Sequence, residues 1–234
     1  MRHKIKSLIK RAIDWPPVPA MTIDNQYAFL DAILHKRNLP GPVVEIGVAT
    51  GGTTVNACRF LSRIGCQKTY YCVDTFAGFV NEQLATDHRL GLDQRHDRLF
   101  ADNSMKDFAS ALRRWGVEQN VELVKADICK IDPNDLPNDI SVCLLDVDLR
   151  DPIYEGLQRL ESRMADGGVV LIDDCKAGTS WVGADVGYRD YMAAAGRSPE
   201  YYMGFGVVQF GSADRLPWSV SSTANAIQNN YYAA

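Results

Sequence analysis

Short β-branched runs alternate with helical periods along most of this chain, and several of the runs end in an acidic residue. The runs are Val43 to Ile46, Thr69 to Val73, Val121 to Lys125, Ser141 to Leu145, Val169 to Ile172 and two more near 200–210. Apolar residues recur at helical spacing over 52–64, 104–115, 152–165 and near 184–195, and another helical stretch over 24–37 precedes Pro40-Gly41-Pro42. Parallel neighbours need a long crossover between them, so this alternation specifies a mostly parallel sheet with helices on both faces: an α/β, doubly wound chain. Pro152 directly after Asp151 predicts an N-cap at Asp151, with Ile153, Leu157, Leu160 and Met164 on the buried face of the helix that follows.

At about 150 residues per domain, 234 residues give one α/β domain with additions. The expected division is a helical extension over 1–39, the main domain over 40–211 with a lid-like insertion near 75–103, and a tail over 212–234. The 46% hydrophobic and 23% charged composition excludes a disordered or coiled-coil chain, and a net charge of −4 argues against a protein that coats nucleic acid. Six cysteines without C-x-x-C spacing read as reduced thiols rather than a zinc site or disulfide scaffold. No apolar run approaches the ~18 residues of a membrane span. The N-terminus lacks the pattern of a secretory signal, so the expected location is cytoplasmic. Residues 2–14 set Ile5, Leu8, Ile9, Ala12 and Ile13 on one helical stripe, with Arg2, Lys4, Lys6, Lys10 and Arg11 elsewhere. Such a stripe fits packing on the domain or on a second copy in a homo-oligomer, or weak contact with an anionic membrane surface.

The first run continues as Val43-Val44-Glu45-Ile46-Gly47-Val48-Ala49-Thr50-Gly51-Gly52-Thr53-Thr54. Glycines at a strand-to-helix turn let a ligand approach the backbone and leave amides free to face it. A dinucleotide fingerprint would need glycine where Ala49 stands. The second run leads into Asp74, placed to accept both hydroxyls of a ribose, and the third into Asp127, placed to meet the exocyclic amine of an adenine.

Two further runs end in acids: Leu144-Leu145-Asp146-Val147-Asp148 and Leu171-Ile172-Asp173-Asp174. Strands of leucine and isoleucine are buried on both faces, and ligands bind at their carboxyl ends. Four carboxylates brought together repel unless a cation offsets them, and hard oxygen donors suit Mg²⁺ rather than zinc.

Together these residues resemble the class I S-adenosylmethionine (SAM)-dependent methyltransferases, and within them the Mg²⁺-dependent bacterial sugar O-methyltransferases of the macrocin O-methyltransferase family. The resemblance covers about residues 40–210. It rests on V-E-I-G-V-A-T-G-G-T, on V-D-T-F-A-G-F, and on D-V-D followed by G-G-V-V-L-I-D-D. It implies a Rossmann-like, seven-stranded, mostly parallel sheet whose last strands form an antiparallel hairpin. The activity implied is methyl transfer from SAM to a hydroxyl of a sugar or a sugar-containing small molecule. The cofactor residues implied are Glu45, Gly47, Thr53, Asp74, Phe76 and Asp127; Asp146, Asp173 and Asp174 would bind Mg²⁺, and Asp148 would take the proton. After D-x-D the family's usual M-Y-E-S-T is replaced by Leu149-Arg150-Asp151-Pro152-Ile153, which alters the substrate side.

Rival readings are a catechol or phenol O-methyltransferase, a nucleotide-binding module without catalysis, and an NAD-dependent oxidoreductase. Catechol-type relatives would carry a lysine base where Leu149 stands; intact acidic motifs count against the second, and Ala49 with Glu45 against the third. His88 and His96 in the lid-like segment could shuttle a proton or touch substrate, and Lys176 after Asp174 could orient an oxyanion, but solvated side chains are the simpler reading of all three. Trp181, Tyr188 and Tyr191 fit either a sugar-stacking wall or core packing.

Overall fold

The computed structural model describes residues 19–92, 100–176, 179, 181–211, 216 and 220–221. The basic stripe over 2–14, His96 and nearly all of the tail lie outside them. Eight strands form one sheet: β1 (Val43–Ile46), β2 (Tyr70–Asp74), β3 (Val121–Lys125), β4 (Ile140–Leu145), β5 (Met164–Ile172), β6 (Glu200–Tyr202), β7 (Phe205–Gln209) and β8 (Val220–Ser221). Their order is β3-β2-β1-β4-β5-β7-β6-β8. Strands β1 to β5 pair in parallel, β7 runs antiparallel to β5, and β6 and β7 form the expected hairpin. The seven expected strands are present, and two-residue β8 extends the edge beyond β6.

The helices are α1 (Ile23–His35), α2 (Gly52–Arg63), α3 (Asn81–Leu90), α4 (Met105–Trp115), α5 (Arg150–Glu161) and α6 (Val182–Ala194). Strand alternation divides the core between the two faces of the sheet. Val43, Val142, Leu144, Val169 and Leu171 face α1, α2 and α4 through Phe29, Ile33, Val55, Leu61, Phe108 and Leu112. Val44, Ile46, Cys143, Leu145, Val170 and Ile172 face α5 and α6 through Ile153, Leu157, Leu160, Ala184 and Met192. All six residues of β4 are buried, as a central parallel strand requires.

Two expectations are corrected. Helix α5 starts at Arg150 with Leu149 as its N-cap, so Asp151 and Pro152 lie inside its first turn. The cap comes from a distance: the Asp87 carboxylate accepts from the Arg150 N–H at 3.2 and 3.3 Å. Strand β5 starts at Met164, ahead of the expected Val169. It runs through Gly167-Gly168 because a Cβ on Gly168 would come within 2.6 Å of the Ile140 carbonyl oxygen. Tyr188 and Tyr191 belong to the core rather than to a wall of the site. Tyr188 is fully buried, and its hydroxyl accepts from the Glu200 N–H at 2.9 Å with the Glu200 and Val207 carbonyl oxygens of the β6–β7 hairpin both at 2.9 Å, either of which can take its one proton. No helix among the described residues is long and apolar enough to cross a membrane. The six cysteines are all free.

Candidate active site

Strand order reverses between β1 and β4, and the carboxyl ends of the parallel strands diverge there. A cavity of about 940 Å³, counted out into the solvent at its mouth, opens at this point. Its lining includes Gly47, Asp74, Asp127, Asp146, Asp148, Asp173 and Asp174. The acids placed by sequence at the ends of β2, β3, β4 and β5 therefore share one space. Glu45, Thr53 and Phe76 do not line it.

Gly47 is where β1 turns into the cavity wall. Its φ of +87° is disallowed to most side chains, and an added Cβ would lie 1.8 Å from the Asp146 carbonyl oxygen. Only glycine lets the ends of β1 and β4 close on one another here. Asp74 then ties this turn to β2: its carboxylate accepts from Val48 N at 2.8 Å and from Phe76 N at 2.6 Å. Phe76 thus contributes its backbone, while its ring packs on Phe108 with centroids 5.5 Å apart.

Glu45 is 1% exposed beneath the turn. Thr54 and Tyr70 each donate a hydroxyl to the same carboxylate oxygen at 2.6 Å. Burial outweighs these bonds and pushes its pKa up to about 7, with a smaller push from Asp74. Glu45 therefore works from inside the fold, joining β1, α2 and β2. Thr53, beside Thr54 at the start of α2, is also buried.

On the β3 side, Asp127 Oδ1 accepts from Cys129 N at 3.0 Å and from Gln83 Nε2 at 2.9 Å. Its Oδ2 is buried without a hydrogen-bond partner; Lys130 Nζ stands 3.9 Å away, beyond hydrogen-bond reach. Such an atom is costly unless a ligand supplies a donor.

The four remaining acids occupy the other end. Burial raises Asp146 well above the carboxylate range, and Asp173, Asp148 and Asp174 push it further. Burial likewise raises Asp148, helped by repulsion from Asp174 and Asp173 and by a hydrogen bond with Asp174. Asp173 rises to about 6 through burial and Asp174, against the pull of the Asp174 backbone N–H, Lys176 and Asn25. Asp148 and Asp174 also hold left-handed backbone, φ +63° and +56°, a conformation that costs roughly 1 kcal/mol or more for a residue with a side chain. Strain and repulsion are thus concentrated in one spot, as at sites whose ligand supplies the compensation. Among the described residues, no three His, Cys, Asp or Glu side chains are arranged to hold a metal ion as they stand. The fit to a divalent cation lies in chemistry and location: crowded, buried, hard oxygen donors that a positive charge would relieve.

Several contributors are not visible in the sequence pattern. Asn25, buried on α1, donates to Asp173 and accepts from Thr22 Oγ1 at 2.5 Å. Thr179 donates to Asp174 at 2.6 Å. Gln83, on α3, holds Asp127. Only spatial proximity links these polar residues to the acids, and no spacing announces them. Trp181 lines the cavity with Phe79, whose ring centroid lies 5.3 Å away, and with Phe100 beyond. His88, in the last turn of α3, does not line it.

Known structures with the same fold include the O-methyltransferase NovP, 20% identical over 81% of this chain and 79% of that one, with a TM-score of 0.67. The calicheamicin methyltransferase CalS11 is 16% identical over 83% and 82%, with a TM-score of 0.65. The apo form of CalS11, described as a TDP-rhamnose 3'-O-methyltransferase, is 14% identical over 83% and 82%, with a TM-score of 0.56. No curated protein matches the chain by sequence. The model of the macrocin-O-methyltransferase (TylF) family matches residues 3–194, most of the chain, and the protein belongs to that family of O-methyltransferases.

Proposed function

We propose that this enzyme transfers a methyl group from SAM to a hydroxyl of a sugar or sugar-containing small molecule, with the help of a divalent cation. The observation that carries this reading is the division of one cavity into two acidic ends, Asp74 and Asp127 on one side and Asp146, Asp148, Asp173 and Asp174 on the other. The first pair suits the two donor-bearing parts of an adenosine. Asp74 accepts ribose hydroxyls while the Val48 and Phe76 amides hold it in place, and Asp127 accepts the exocyclic amine. Gly47 brings the backbone close to the ligand.

At the other end Asp146, Asp173 and Asp174 would hold the cation, Mg²⁺ by donor type. When bound, it would lower the pKa of the acceptor hydroxyl and fix its orientation. Asn25 and Thr179 fix Asp173 and Asp174 in advance. Asp148 is the proposed base. It lines the same cavity as the three proposed cation ligands, where a carboxylate can meet the hydroxyl of an acceptor. The sugar acceptor draws support from the macrocin-O-methyltransferase family and from the description of CalS11 as a TDP-rhamnose 3'-O-methyltransferase. Leu149, 1% exposed at the N-cap of α5, provides no base at the position where a catechol methyltransferase would carry lysine.

The test is transfer of labelled methyl from SAM to a panel of free sugars, glycosides, sugar nucleotides and catechols. Labelling confined to the sugar-bearing acceptors supports the reading. Labelling confined to catechols contradicts it.

A further inference from the structure

Helix α3, within the lid-like segment, reaches across to the β3 acid through Gln83, a side chain that the proposed methyl transfer does not itself use. Its amide donates to Asp127 Oδ1 at 2.9 Å. Oδ1 also takes the Cys129 N–H, and Oδ2 is left buried without a hydrogen bond, with Lys130 Nζ no nearer than 3.9 Å. A carboxylate held this way cannot turn: one oxygen is committed to two donors, so the other is the one offered to a ligand.

Gln83 itself is held in place. Asp87 lies one turn further along the same face of α3. Its carboxylate accepts from Arg150 N at the start of α5. On its other side stands Gly183 of α6, where an added Cβ would come within 2.1 Å of Asp87 Oδ2. Asp87 is 1% exposed, and its neighbour Leu84 is buried as well. Helix α3 is therefore keyed into α5 and α6 below Gln83, and the reach of Gln83 to Asp127 is built into the packing.

We infer that Gln83 is a positioning residue for the 6-amino group of the cofactor's adenine: by occupying Asp127 Oδ1 it presents Oδ2 to that amine. The inference rests on the reading of the cavity as a SAM site. It makes selectivity for 6-aminopurine depend on a residue outside the glycine turn and outside the strand-end acids.

The experiment is calorimetric titration of the full chain with S-adenosylhomocysteine and with S-inosylhomocysteine, in which a carbonyl replaces the 6-amino group. Wild type and Gln83→Leu, which keeps the bulk and removes the donor, are compared, with thermal unfolding verifying that both are folded. Wild type should bind the adenosyl compound at least tenfold more tightly. Gln83→Leu should bind it five- to twentyfold more weakly and bind the inosyl compound within twofold of wild type, so that the discrimination collapses. Equal weakening for both compounds would reduce Gln83 to a packing residue and overturn the inference, as would no change. Tighter binding of the adenosyl compound would also overturn it, because Gln83 would then compete with the amine. A wild-type chain that binds neither compound would refute the SAM site itself, and the inference with it. If wild type binds both equally, the site stands and the inference fails.

Discussion

Replacing Glu45 by glutamine should change how stability depends on pH, and the direction follows from burial. Glu45 binds its proton with a pKa of about 7 in the folded chain, against 4.5 as the reference for an exposed carboxylate. The folded state therefore holds the proton more tightly than the unfolded state. Stability from this group is fully present below about 4.5, declines as pH rises, and is lost once pH passes about 7. At about 1.4 kcal/mol per tenfold change in proton affinity, the loss amounts to roughly 3 kcal/mol, a large share of an ordinary domain's stability. The substituted glutamine would keep an oxygen for the Thr54 and Tyr70 hydroxyls and would not titrate. Urea unfolding of wild type and Glu45→Gln at intervals from about pH 4.5 to 8 gives the difference curve. The titrations of Asp146, Asp148 and Asp173 are shared by both chains and largely cancel from it, leaving the weak repulsion between Glu45 and Asp146. The variant should gain on wild type by roughly 3 kcal/mol across that range. Parallel curves would show that Glu45 is not buried as a lone carboxyl and would refute the reasoning.

Three other perturbations separate the parts of the site. Asp74→Ala removes a charged acceptor at the ribose position and should weaken S-adenosylhomocysteine by about ten- to a hundredfold in calorimetry, roughly 1.5 to 3 kcal/mol. Asp148→Asn should leave that affinity in place while lowering turnover by roughly 10²- to 10⁴-fold, with part of the loss recovered at higher pH; near wild-type turnover would put the base elsewhere. Gly47→Ala forces a Cβ to within 1.8 Å of the Asp146 carbonyl oxygen at a φ of +87°, and should yield insoluble or strongly destabilised protein in thermal unfolding.

The elements legible in the sequence are those whose pattern is local. β1 and β4 are short apolar runs broken only by Glu45 and Ser141, and both are legible to within a residue or two because burial on both faces leaves no regular polar alternation to misread. Helix α3 is hidden for the opposite reason. Of its ten residues only Leu84 and Asp87 are buried, so its inward face is half polar and shows no hydrophobic period. The start of α5 is misplaced by sequence because its capping carboxylate, Asp87, comes from another helix. In the site, acids at strand ends can be read as a group, since parallel strands deliver their carboxyl ends to one edge. Glu45 sits inside β1, where side-chain direction decides whether it faces ligand or core, and the hydroxyls of Thr54 and Tyr70 draw it inward. Asn25 and Gln83 act across long separations in sequence and leave no local trace.

The most direct measurement is methyl transfer from labelled SAM to an accepted glycoside before and after chelation by EDTA and on return of Mg²⁺, with S-adenosylhomocysteine affinity measured under the same conditions. Transfer should vanish with the chelator and return with Mg²⁺, while cofactor affinity stays constant, because the two acidic ends of the cavity serve different ligands. Transfer that is indifferent to EDTA would contradict the cation site at Asp146, Asp173 and Asp174 and leave their mutual repulsion to another cause.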